Sequence, residues 1–161
     1  MQARGATNHK IRLQNPGTLT GANVGLNFSG TGAVTLDVLG VAGAGGDIEL
    51  FLDKATFNKT TYTFTANGPT ASNGNGGTVY VGSQLLTLSP TAKFTITANA
   101  SSFGTGDAIA SDPSTGDPKA IRFYPGAVPL NIGTASGLGQ ISFSAKGGQS
   151  GGKGGTILIS S

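Results

Sequence analysis

Gly76-Gly77-Thr78-Val79-Tyr80-Val81 states a phrase that returns along the chain: a glycine corner, then alternating apolar residues. The same phrase is read at Gly32-Ala33-Val34-Thr35-Leu36-Asp37-Val38 and at Gly45-Gly46-Asp47-Ile48-Glu49-Leu50. It returns at Gly139-Gln140-Ile141-Ser142-Phe143 and at Gly154-Gly155-Thr156-Ile157-Leu158-Ile159. Its first apolar positions, 34, 48, 79, 141 and 157, stand 14, 31, 62 and 16 residues apart. These gaps approximate multiples of a unit of roughly 15 to 16 residues, and a fixed period marks a repeat architecture whose units bury their apolar faces on one another.

Between the phrases the same two-residue alternation continues, as strands with one apolar face require. Ile11 and Leu13 flank Arg12, Leu26 and Phe28 flank Asn27, and Tyr62 and Phe64 sit among Thr61, Thr63 and Thr65. Leu86 and Leu88 flank Thr87, Phe94 and Ile96 flank Thr95, Ile121 and Phe123 flank Arg122, and Leu130 and Ile132 flank Asn131. Turn residues separate these runs at Asn15-Pro16-Gly17, Asn67-Gly68-Pro69 and Asn73-Gly74-Asn75. The longest irregular stretch, 101–119, carries Asp112-Pro113 and Asp117-Pro118 and reads as a loop, because proline gives no amide hydrogen to a ladder.

The expected fold is all-β in one domain over 1–161: a right-handed parallel β-solenoid or β-helix. An antiparallel β-sandwich completed by strand exchange is the alternative. Repetition of the same corner before successive strands favours the solenoid, since a sandwich has no reason to restart each strand pair in one way.

Composition narrows the function. Of 161 residues, 28 are glycine and only 11% are charged, against about 25% in ordinary globular chains. Glutamate occurs once, at Glu49, so the usual helix-surface residues are scarce. Cysteine is absent, which excludes disulfides and Cys-ligated zinc. The net charge of +3 is small. Its local concentration at Arg4, His9, Lys10 and Arg12 reads as a charge-guarded edge strand, not a nucleic-acid surface, for no aromatics are interleaved. No apolar run reaches the roughly 18 residues of a membrane helix, and no signal-peptide core opens the chain. Membrane insertion is therefore not expected. Export would need a signal outside this stretch.

The run Gly76-Gly77-Thr78-Val79-Tyr80-Val81, Leu85-Leu86-Thr87-Leu88-Ser89, Ala92-Lys93-Phe94-Thr95-Ile96-Thr97-Ala98 and Gly104-Thr105-Gly106 resembles one repeat of the filamentous-haemagglutinin-like bacterial surface proteins. Gly151-Gly152-Lys153-Gly154-Gly155-Thr156-Ile157 resembles the start of another. The likeness covers roughly residues 76–106 and 139–161. It implies a secreted right-handed β-helix on the cell surface, serving as an adhesin or fibre rather than an enzyme.

Candidate sites follow from residue chemistry. The strand-like ends, Ile11 and Leu13 at the start and Ile157, Leu158 and Ile159 at the close, are expected to mediate self-assembly. Uncapped ends of repeat stacks expose apolar faces and unpaired backbone. The expected partner is a second copy in a head-to-tail homopolymer, or neighbouring repeats of a longer chain, and deletion of 156–161 is expected to abolish assembly. Phe51, Tyr80 and Tyr124 fall on outward positions, and Tyr80 and Tyr124 are candidates for contact with surface glycans. A polysaccharide-cleaving β-helix enzyme would need paired carboxylates, for which Asp37, Glu49 and Asp53 are the candidates on one outward face. Solvated strand faces account for them equally, and no Gly-x-Ser-x-Gly elbow accompanies His9. Asp107, Asp112 and Asp117 are weak calcium candidates within one loop, which is also an ordinary turn sequence. Gly147 to Gly155 surrounds Lys153 but opens no helix, so it reads as a structural corner rather than a phosphate loop. Asn27, Asn58 and Asn99 match the glycosylation sequon in a chain so rich in Ser and Thr that such matches carry no weight. No cofactor is called for.

Overall fold

The computed structural model describes residues 1–2, 9–14, 25–28, 32–41, 43–70, 73–102, 106–108, 119–124, 126 and 140–160. Ten strands and no helix occur among them. They are β1 (Lys10–Gln14), β2 (Gly25–Phe28), β3 (Val34–Asp37), β4 (Asp47–Phe57), β5 (Thr61–Thr65), β6 (Thr78–Leu88), β7 (Lys93–Thr97), β8 (Lys119–Tyr124), β9 (Gln140–Ser144) and β10 (Thr156–Ile159). The larger sheet has the order β1-β4-β6-β8-β10, with β2 also paired to β4; the smaller has the order β3-β5-β7-β9. The strands form no closed barrel.

All eight strand pairings are parallel. This removes the antiparallel alternative for the described strands. Alternation alone is the same in both arrangements, so only the pairing decides. The chain passes from the larger sheet to the smaller and back, as from β4 through β5 to β6. One such circuit separates Asp47 from Thr78, its register partner, by 31 residues. The expected unit of roughly 15 to 16 residues is therefore corrected to half a circuit. The glycine phrase occurs at two corners, opening β3 and β9 in the smaller sheet and β4, β6 and β10 in the larger.

One expected division is also redrawn. Val79-Tyr80-Val81 and Leu86-Thr87-Leu88 belong to one strand, β6, as the two halves of β4 do. In β4 the buried positions run 48, 50, 52 and then 55, 57, so the inward phase shifts at Asp53 and Lys54. A bend there turns both halves toward one core. On the neighbouring strand Ser83 is buried beside this bend, and its hydroxyl donates to the carbonyls of Leu85 (3.0 Å) and Asp53 (3.4 Å). Such partners are what a buried hydroxyl requires. The expected strand at Leu130 and Ile132 lies outside the described residues.

Register aligns the inward side chains in files. Ile11, Ile48, Val79, Ile121 and Ile157 form one file, and Val34, Tyr62, Phe94 and Ile141 another. Aromatic rings fill the junction between the sheets. Tyr62 stacks on Phe94 at 4.4 Å and Phe28 on Phe57 at 5.1 Å, while Phe57 meets Tyr62 edge-on at 5.0 Å. Tyr62 is fully buried, and its hydroxyl accepts the Lys59 N–H at 2.7 Å. Burial pushes its phenol pKa up, partly offset by that N–H.

Candidate functional site

The strands at the two ends of the larger sheet carry the same alternation but meet solvent differently. In β10, Ile157 and Ile159 are register partners of the buried Ile121 and Phe123, so they hold the inward phase. They are nonetheless 39% and 53% exposed, and outward-facing Leu158 is 36% exposed. No charge lies between Thr156 and Ser160. This uncharged edge groups three of the six exposed large apolar side chains among the described residues.

At Ile11 and Leu13, on the opposite edge strand β1, no matching apolar exposure is found. Ile11 is 4% exposed and Leu13 is half-buried against the core. First residues and corner contacts tie this end across to the smaller sheet. The Met1 amine donates to Thr35 O at 2.8 Å, Gln2 bridges to Asp37, and His9 Nε2 lies 3.2 Å from Leu39 O. Outward Lys10 and Arg12 reach Glu49 on β4 at 2.6 and 3.6 Å, and Lys10 reaches Asp47 at 3.5 Å. The Glu49 carboxylate raises the Lys10 pKa, against a smaller opposing effect of burial. Charges placed this way guard an edge strand, as the sequence suggested.

At the corner that leads into β4, β6, β8 and β10, polar side chains link successive circuits. Asn67 Oδ1 accepts the N–H of Asn99, 32 residues on; Asn99 Oδ1 in turn accepts the N–H of Lys146, both at 2.8 Å. A second ladder runs beside it. Asn75 Oδ1 accepts the Asp107 N–H at 2.9 Å, and Asp107 Oδ1 accepts the Lys153 N–H at 2.7 Å. Each acceptor satisfies a corner amide that the sheets leave unpaired. Between the ladders runs a glycine file. A Cβ on Gly74, Gly106 or Gly152 would overlap the carbonyl oxygen of Gly43, Gly74 or Gly106 respectively. Circuits can stack this closely only where the side chain is hydrogen.

These ladders were not anticipated from the sequence. Their signal was present in the spacing of Asn67 and Asn99, which matches one circuit, but it is legible only when the circuit length is known. Asn99 is thereby a structural acceptor, also receiving the Ser144 hydroxyl at 2.8 Å. Asn58 and Asn27 likewise face each other across neighbouring circuits at 3.4 Å.

The other candidates are distributed as follows. Asp37 stands on β3 in the smaller sheet, whereas Glu49 and Asp53 stand on β4 in the larger, so the expected shared face does not form. The sheet change between β3 and β4 separates them. Among the described residues no three His, Cys, Asp or Glu side chains group to hold a metal. Asp107 serves its ladder, while Asp112 and Asp117 lie outside the described residues. Phe51 and Tyr80 are half-buried and stacked at 4.6 Å, so their outward faces are partly covered. Tyr80 lies over Gly82, where any Cβ would collide with its ring, and the Arg12 guanidinium sits 4.9 Å from the centre of Phe51. Tyr124 is 39% exposed. No helix among the described residues is long and apolar enough to cross a membrane.

No protein-family model, curated protein or solved structure matches this chain.

Proposed function

We propose that the chain is a right-handed parallel β-solenoid and acts as a non-enzymatic structural module of an extracellular bacterial surface fibre or adhesin. It stacks end to end with a neighbouring solenoid unit through its C-terminal edge. The observation that carries this reading is β10. Its inward isoleucines continue a buried file, yet stand exposed on a strand with no charge to block pairing. An edge of that kind is a template for another strand. The parallel register, the corner ladders and the glycine file support it, because the register and the glycine file recur from circuit to circuit and the ladders span two successive junctions, which defines how a further circuit would sit.

The test appends a second copy of residues 52–81 after Ser160. By register Ser160 follows Ile159, the partner of Phe123, so the copy of Thr78–Val81 comes to lie beside β10. The expected result is a higher Tm and slowed amide exchange throughout β10. An appended segment that exchanges freely and leaves Tm unchanged refutes the stacking reading.

A further inference from the structure

The outward faces of the two sheets differ in kind. In β5 and β7 of the smaller sheet, Tyr62, Phe64, Phe94 and Ile96 are buried, so the side chains between them point to solvent. Register places Thr35, Thr63, Thr95 and Ser142 in one outward file. Asp37, Thr65, Thr97 and Ser144 form the file beside it. All of these but Asp37 carry a hydroxyl, and Asp37 stands on the first strand, where it accepts from Gln2. The larger sheet instead sets ions and rings outward, among them Lys10, Arg12, Glu49, Phe51 and Tyr80. There only Thr56 and Thr87 align, beside Asn27. The general liking of strands for threonine would spread hydroxyls over both faces alike.

Adjacent strands stand about 4.8 Å apart, and alternate residues of one parallel strand about 6.6 Å apart. The two files are therefore a grid with those two repeats. The prism plane of hexagonal ice repeats its water oxygens at two perpendicular distances close to these. A hydroxyl both donates and accepts, as a lattice water does. Thr63, Thr65, Thr95 and Thr97, at the centre of the grid, carry no charge that would hold water in a shell of its own, so the face suits a neutral occupant. Lys93 stands at one border, and the Asn67 and Asn99 ladder two residues beyond the other file. Thr97 Oγ1 is covered and has no partner within the chain, so its methyl is the part it offers to solvent. The parallel ladder above and the stacked rings of Tyr62 and Phe94 beneath fix the grid before anything binds, which lowers the entropic cost of binding.

We infer that the outward face of the smaller sheet, centred on Thr63, Thr65, Thr95 and Thr97, binds ice. This goes beyond the fibre reading and does not depend on the end-to-end contact, which uses a different surface. The test is partition of the purified chain into slowly growing ice, with the Tm of each variant read by circular dichroism. The parent is expected to be enriched in the ice. Thr63→Tyr and Thr95→Tyr are expected to lose that enrichment at a Tm within about 2 °C of the parent. Thr87→Tyr, on the outward face of the larger sheet, is expected to keep it. Where a tyrosine variant melts early, the double variant Thr63→Ala, Thr95→Ala reads the same loss without added bulk. Exclusion of the parent from ice, or an equal loss in Thr87→Tyr, would overturn the inference. Capture by microcrystalline cellulose without enrichment in ice would overturn it too, and would give the face to a polysaccharide. None of these outcomes bears on β10, whose extension is tested separately.

Discussion

Ile11 and Ile157 sit in the same inward file at opposite ends of the larger sheet, yet Ile11 is 4% exposed and Ile157 is 39% exposed. Their strands differ in what surrounds the alternation. Lys10-Ile11-Arg12-Leu13-Gln14 alternates apolar residues with charges that pair to β4, and Met1, Gln2 and His9 cross to the smaller sheet. Thr156-Ile157-Leu158-Ile159 carries no charge, and among the described residues it makes no such contact across to the smaller sheet. The comparison teaches that strand pattern does not decide whether an edge is closed. Flanking charges and long-range corner contacts decide it.

The strongest way to break the comparison is to remove the inward side chain at each end. Ile11→Ala is expected to cost about 2–4 kcal/mol, as large-to-small changes in a core do. Ile159→Ala at the half-solvated edge is expected to cost under about 1 kcal/mol in the isolated chain. Urea denaturation measures both, and equal losses would show that the two edges are energetically alike.

A smaller contrast lies in the ladders. Asn99→Ala removes the acceptor for two donors, the Lys146 amide and the Ser144 hydroxyl, at an expected cost of about 1–3 kcal/mol. Lys146→Ala, on the last circuit of the same file, is expected to change stability by no more than about 0.5 kcal/mol. The difference in thermal midpoint between the two variants gives the contribution of one ladder step.

The smallest effect concerns the guard itself. Glu49→Gln uncouples Lys10 and Arg12 and is expected to lower stability by up to about 1 kcal/mol at low salt, with no loss at high salt. The sign with pH follows from Lys10, whose pKa is raised in the folded chain by Glu49. Its contribution is full below the ordinary lysine value of 10.5 and fades as pH rises through the higher folded value. Denaturation midpoints from neutral to strongly alkaline pH should therefore converge for the parent and Glu49→Gln. A constant gap would assign Glu49 a role other than pairing.

Several elements were legible in the residues. The glycine phrase located the starts of β3, β4, β6, β9 and β10, and alternation named the inward residues of most described strands. What failed were statements that needed partners. Asp37 and Glu49 share a local outward phase, but the chain changes sheet between them. Phe51 and Tyr80 also read as outward, yet each covers the other because Gly82 leaves room for the tyrosine ring. Ile11 read as an exposed edge residue, and on its edge strand it is buried in the core.

By itself, then, the sequence determined an all-β chain of short strands turning at glycine corners, with an uncharged apolar segment at Ile157 to Ile159. Those properties are local, since side-chain alternation and turn chemistry depend on residues only a few positions apart. The tertiary structure decided that pairing is parallel, that a circuit between Asp47 and Thr78 takes 31 residues, and that Asn67, Asn99 and Lys146 share one file. It also decided at which edge the inward isoleucine is buried. These depend on register between segments tens of residues apart, where core packing and the pairing of every corner amide select one alignment from many with the same alternation.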